Sequence, residues 1–156
     1  MNYELIRKVL SAFEAASVEY VVFGAAALNL HGLPRFTEDL DVFIAPDEGN
    51  IERLRQALHA VFDDPHIEEI TADDLLGEYT TIQYVPPEGS FHIDILTKLG
   101  EAFRFDDLES QRIDFDGIPV TVVTPRMLYR MKRDTVRAKD RGDAEALKRR
   151  FHLEDE

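Results

Sequence analysis

The sequence predicts an α+β fold, a mixed β-sheet of about four to six strands with helices packed mainly on one face. Short β-type runs at Tyr20–Phe23, Asp39–Ile44, Tyr79–Val85, Ser90–Leu96 and Ile118–Val123 are interspersed with stretches of helical period. The links Pro86-Pro87-Glu88-Gly89 and Asp116-Gly117 are short and turn-forming, as hairpins require. A length of 156 residues, 44% hydrophobic and 31% charged, fits one domain spanning residues 1–156 with a sizeable core.

Residues 2–17 form the first expected helix, because Leu5, Val9, Leu10 and Phe13 fall on one stripe. The apolar run Tyr20–Phe23 then breaks at Gly24 into a short Ala/Leu-rich helix that Gly32 and Pro34 end. A helix that starts where a strand stops leaves its first backbone N–H groups unpaired, so Gly24 and Ala25 open an anion site. In the next strand Asp39 and Asp41 are two residues apart and project to one face. Leu40, Val42 and Ile44 project to the other face and are buried. Two carboxylates this close repel unless a cation or water screens them.

Pro46-Asp47 opens a helix whose Ile51, Leu54, Leu58 and Val61 make its core stripe, and Asp63-Asp64-Pro65 closes it. Thr71–Gly77 reads as a capped helical turn, with Asp73 and Asp74 as its N-terminal charge in preference to a metal-binding pair. A hairpin follows. In its second strand Phe91, Ile93 and Ile95 alternate with His92 and Asp94, so the two polar side chains share a face. An acid in the middle of so apolar a strand sits where burial is expected, which singles out Asp94. His92 is either its neighbour in a site or an edge histidine. Asp114 and Asp116 are poorer candidates, because Asp116-Gly117 is turn chemistry. Glu101–Leu108 is expected to be a short helix, and Arg112–Phe115 with Ile118–Val123 a second hairpin. Thr124 and Pro125 then supply the cap and first residue of a helical tail.

The absence of cysteine excludes a disulfide framework and a cysteine zinc site. Met1–Ala16 carries Glu4, Arg7, Lys8 and Glu14 where a signal peptide needs an apolar stretch, and no run approaches the ~20 apolar residues of a membrane helix. A cytoplasmic protein with no membrane partner is expected. The net charge of −13 gives no general attraction for polyanions, but it is unevenly spread. Residues 126–150 hold ten Lys/Arg against four acids, so residues 125–150 form a basic helical tail on an acidic body, suited to local phosphate contacts.

Tyr20–Ile44, with its apolar strand, Gly24, short helix and Asp39-Leu40-Asp41, resembles the nucleotidyltransferase superfamily that includes DNA polymerase beta. Gly32-Leu33-Pro34-Arg35-Phe36-Thr37-Glu38-Asp39-Leu40-Asp41 is similar to its small bacterial members, the minimal nucleotidyltransferases and the relatives of abortive-infection toxins. The tail, with Lys132, Arg137-Ala138-Lys139-Asp140 and Asp143, matches the same group a second time. At the position after Gly24, where the family commonly carries Gly or Ser, this chain has Ala25 and lacks a hydroxyl.

The resemblance implies the nucleotidyltransferase fold and transfer of a nucleoside monophosphate from a triphosphate to a hydroxyl on RNA, protein or a small molecule. The alternative it implies is a weak or inactive member acting as a toxin–antitoxin partner. In the superfamily a third carboxylate comes from a strand beside the Asp-x-Asp strand, and Asp94 is the candidate. Asp39, Asp41 and Asp94 would be catalytic and would hold Mg2+, with Mn2+ as the alternative ion. Gly24, Ala25, Arg35, Thr37 and Lys132 would bind the nucleotide, Arg35 and Lys132 as cations. A homodimer or a cognate toxin or antitoxin is the implied protein partner, because the chain has little room for an acceptor domain.

Overall fold

The computed structural model describes residues 3–33, 35, 37–77, 79–87, 91–99, 103–133 and 138–153. Asn2, Pro34, Phe36, the hairpin link Glu88-Gly89 with Ser90, the helix start Glu101 and Arg137 of the tail lie outside the described residues, as do the side chains of Lys139 and Asp140.

Along the chain come α1 (Tyr3–Ala15), β1 (Tyr20–Phe23), α2 (Gly24–Leu30), β2 (Asp39–Ile44), α3 (Glu48–Val61), a 3-10 turn (Pro65–Glu69) and α4 (Ala72–Leu75). Then follow β3 (Thr81–Tyr84), β4 (His92–Leu96), β5 (Lys98–Leu99), β6 (Phe103–Arg104), a second 3-10 turn (Phe105–Asp107), β7 (Ser110–Phe115), β8 (Ile118–Val123), α5 (Pro125–Arg133) and α6 (Ala138–Phe151). Where the sequence predicts a helix over Glu101–Leu108, the described part instead pairs Phe103–Arg104 with Lys98–Leu99 before a single 3-10 turn. Phe103 and Phe105 lean on the core here, and pairing with Lys98–Leu99 supersedes the weak helical pattern of so short a segment.

Six strands form one sheet in the order β3-β4-β2-β1-β8-β7. β1 runs antiparallel to β2, with Tyr20 level with Ile44, and β2 runs parallel to β4. Leu40, Val42 and Ile44 are fully buried, as the alternation of β2 requires. Phe13 of α1 meets Tyr20 edge-on at 5.3 Å, so α1 covers the face to which Ile44 points. α3 packs beside α1 and sends Asn50, 0% exposed, into the junction of β1 and β2. There the Asn50 side chain accepts from Glu19 N at 2.7 Å and donates to Glu19 O at 2.9 Å and Ala45 O at 3.1 Å. Asp47 caps α3 by accepting from Asn50 N at 2.8 Å. α2 is tied to the far side of the sheet, His31 Nε2 lying 2.7 Å from Val123 O. Among the described residues no helix is long and apolar enough to cross a membrane.

Candidate functional site

Parallel pairing of β2 and β4 sets Asp41 level with Asp94 and Asp39 level with His92. Residues level across a sheet share a face, so all four side chains gather on the face opposite Leu40, Val42 and Ile44. β3 adds Gln83, level with Asp94, whose Nε2 donates to Asp94 Oδ1 at 3.3 Å. Behind the acids stand two aromatic rings, Phe23 level with Asp41 and Phe43 two residues further along β2, their centroids 4.8 Å apart. Asp41 therefore stands between two carboxylates, with Phe23 and Phe43 beside it on the same face.

The electrostatics follow from that packing. Burial pushes the Asp41 carboxyl up most, followed by its hydrogen bond to Asp94 and repulsion from Asp94 and Asp39, while Lys132 pulls the other way; the result is about 8. Asp39 is also raised, by burial first, with His92 opposing and Asp94 adding to the shift. Asp39 Oδ1 pairs with His92 Nε2. His92 is thus the carboxylate's direct partner.

At the end of β1, Gly24 has φ +70°, and a Cβ there would stand 2.1 Å from Asp41 Oδ2. Glycine answers both demands, the left-handed backbone and the close approach to the acid. Gly24 and Ala25, expected to bind the nucleotide, begin α2 beside Asp41.

The two expected cations meet on one acid. Arg35 Nε lies 3.5 Å from Asp143 Oδ1, and Lys132 Nζ lies 3.3 Å from Asp143 Oδ2. Lys132 is only 8% exposed and close enough to Asp41 to favour its charged form. Asn29 clamps the Arg35 backbone, accepting from Arg35 N at 3.0 Å and donating to Arg35 O at 2.8 Å. Beyond the ion pair of its Nε with Asp143, the enclosed Nη2 of Arg35 makes no hydrogen bond among the described residues. Thr37 turns to its own strand, its Oγ1 accepting from Asp39 N at 3.0 Å and so fixing the start of β2.

Sequence reasoning passed over Asp143 as a side chain in its own right and passed over Gln83 altogether. Asp143 lay within the matched tail, but only folding shows that it joins Arg35 to Lys132. Gln83 carried no local signal, since its importance comes from standing level with Asp94.

Three neighbouring carboxylates are a hard oxygen set of the kind divalent cations take, and the repulsion that raises Asp41 is what a cation relieves. The donor chemistry fits such an ion. As they stand, Asp39 is paired with His92 and Asp41 with Asp94, and no group of three or more His, Cys, Asp or Glu among the described residues is drawn together around a cation position.

A family profile described as "Nucleotidyl transferase AbiEii toxin, Type IV TA system" matches residues 8–148. No curated protein matches the chain in sequence. Among solved structures, ANT(2")-Ia in complex with adenylyl-2"-tobramycin is similar with a TM-score of 0.60 at 11% identity, covering 96% of this chain and 88% of that one. The lincosamide antibiotic adenylyltransferase LnuA with lincomycin bound gives 0.60 at 14% identity, over 93% and 95%. TM1012 from Thermotoga maritima gives 0.55 at 13% identity, over 96% and 91%. Identities this low speak to the fold.

Proposed function

The chain belongs to the AbiEii nucleotidyl transferase toxin family, a family of nucleotidyltransferase enzymes, and from that premise we propose that it moves a nucleoside monophosphate from a triphosphate to a hydroxyl acceptor in a divalent-cation-dependent reaction. The observation that supports this reading is the row of acids, Asp94 level with Asp41 and Asp39 one step along, on one face beside the start of α2.

In the proposed reaction the acceptor oxygen attacks the α-phosphorus in line. The bond from that phosphorus to the bridging oxygen breaks, pyrophosphate leaves with the electron pair, and the hydroxyl proton passes to Asp94. Asp39, Asp41 and Asp94 would hold Mg2+ or Mn2+, which would supply charge neutralisation for the attacking and leaving oxygens. Arg35 and Lys132 face the phosphate side. The Nη2 donor of Arg35 suits an incoming phosphate oxygen, and Asp143 holds both cations in place until it arrives. The Gly24 and Ala25 amides complete the anion site. Asp41 is buried, with Phe23 and Phe43 beside it on the same face, and a low-dielectric setting strengthens each of these interactions.

RNA, a protein hydroxyl and a small molecule are the acceptor classes in play. The neighbours crystallised with adenylyl-tobramycin and lincomycin illustrate the last of these, and the basic α5–α6 segment suits the first. The family description adds an antitoxin counterpart as the proposed protein partner.

The test is incubation with each α-labelled triphosphate, Mg2+ and cell extract, followed by separation of RNA, protein and small-molecule fractions. Label should enter one fraction and be lost with chelator or in Asp41→Asn. Absence of transfer from all four triphosphates refutes the reading.

A further inference from the structure

The acidic row leaves one neighbouring side chain without a task. His92 opens β4, where the preceding Phe91 and the alternate residues Ile93 and Ile95 are at most 1% exposed. Those buried positions fix the register, so alternation sends His92 to the same face as Asp94. Parallel pairing sets it level with Asp39, and its own backbone N donates to Glu38 O at 3.1 Å, tying the start of β4 to the start of β2. The imidazole is therefore carried to the row by a paired strand, and its Nε2 meets Asp39 Oδ1.

Asp39 needs such a contact. Its side chain is 36% exposed, and it is repelled by Asp94 and by Glu38. A carboxylate so placed gains by turning to solvent, where its charge is hydrated and its rotamers are free. Thr37 fixes the backbone at this point, through Asp39 N. The cations Arg35 and Lys132 are held at Asp143, and Asp39 pairs with the imidazole instead. A similar contact stands at the other end of the row, where Gln83, level with Asp94, donates to Asp94 Oδ1 at 3.3 Å. Each of these two acids is gripped by one oxygen from a level neighbour, which keeps the second oxygen for a cation. Imidazole and amide also donate without a permanent charge, whereas Lys or Arg in their place would compete with a divalent ion for the acids.

We propose that His92 is a positioning residue of the cation site, holding Asp39 through Nε2 in the orientation that binds a divalent ion. This role rests on the divalent-cation reading of the site and adds to it a residue outside the carboxylate set. His92 acts through Asp39; it supplies no ligand and takes no proton from the acceptor. Its loss frees the Asp39 side chain, so binding of the ion then has to order that side chain against its repulsion from Asp94 and Glu38.

The test is titration of the full chain with Mn2+ alone, reading free Mn2+ by its paramagnetic resonance signal, for the parent, His92→Leu and His92→Gln. Glutamine is the conservative variant, because its Nε2 stands near the place of the imidazole Nε2. Removing the partner of a ligating group costs ~10–100-fold in metal affinity, so His92→Leu should bind Mn2+ about tenfold more weakly or worse, and His92→Gln should recover most of the loss. In an Asp39→Asn background His92→Leu should add nothing further. A structural role alone would lower Tm and leave Mn2+ affinity per folded molecule in place. Parent-like or tighter binding in His92→Leu, no recovery in His92→Gln, full additivity with Asp39→Asn, or a parent that binds no Mn2+ overturns the role of His92. Transfer of label is read separately on the same proteins. A parent that shows the expected Mn2+ pattern but transfers nothing from any triphosphate refutes the transferase reading alone, and a parent that transfers while His92→Leu matches its Mn2+ affinity refutes the positioning role alone.

Discussion

Replacing Asp41 by Asn should abolish transfer and at the same time stabilise the fold, by an amount that depends on pH. Asp41 ionises near its ordinary value of 3.8 when unfolded and at about 8 in the folded chain. Between those values the folded state binds a proton that the unfolded state has released, so stability falls as pH rises through this window. Each tenfold step in proton affinity is worth about 1.4 kcal/mol, which puts the cost at neutral pH at no more than about 4 kcal/mol. Asn carries no such cost and keeps the shape and a hydrogen bond to Asp94. A gain of about 3 kcal/mol near pH 7.5 corresponds to a rise in Tm of roughly 6–12 °C for a domain of this size. Thermal unfolding of both proteins from pH 4 to 9, without divalent cation, is the assay. The gap should be near zero at pH 4, widen to about pH 8 and stay constant above it. A gap that does not change with pH, or an Asn variant less stable than its parent at pH 7.5, would falsify the account of the acidic row. Nucleotide with Mg2+ should then stabilise the parent far more than the variant.

Gly24→Ala sets a Cβ against Asp41 and imposes strain at φ +70°; transfer should be lost, with about 1–3 kcal/mol of destabilisation in urea unfolding. Asn50→Ala leaves the Glu19 N–H and the Glu19 and Ala45 carbonyls without their buried partner, and should lower stability by about 3 kcal/mol while nucleotide affinity per folded molecule is kept. Burial pushes Asp64 up, but the His66 amide and the Tyr84 hydroxyl, 2.8 Å away, carry it below the usual carboxylate value. A depressed carboxyl contributes stability that is present above about pH 4 and lost as pH falls through its folded value. Tyr84→Phe should therefore be less stable than the parent at neutral pH, with the gap in Tm closing in acid; a gap that persists at pH 2 contradicts this.

The local patterns were legible in the chain. Leu40, Val42 and Ile44 against Asp39 and Asp41 set which face of β2 is buried, Gly24 marked the strand-to-helix corner, and Pro46-Asp47 and Asp116-Gly117 marked a helix start and a turn. Each depends on spacing within a few residues, which the backbone periods of 2 and 3.6 convert directly into direction. Expectation and structure part at Glu101–Leu108, where pairing with β5 decided the local form of the described residues.

What only the tertiary structure decided is which distant segments stand side by side. No spacing rule sets β4 parallel to β2 with Asp94 level with Asp41, brings His92 to Asp39, or joins Arg35 and Lys132 through Asp143. Strand order and register are fixed by how the whole sheet buries its apolar face, and a slip of one residue would send Asp94 into the core. The sequence by itself therefore determined the kinds of side chain available and the faces they occupy. The long-range packing of β2, β4 and α6 determined that they meet.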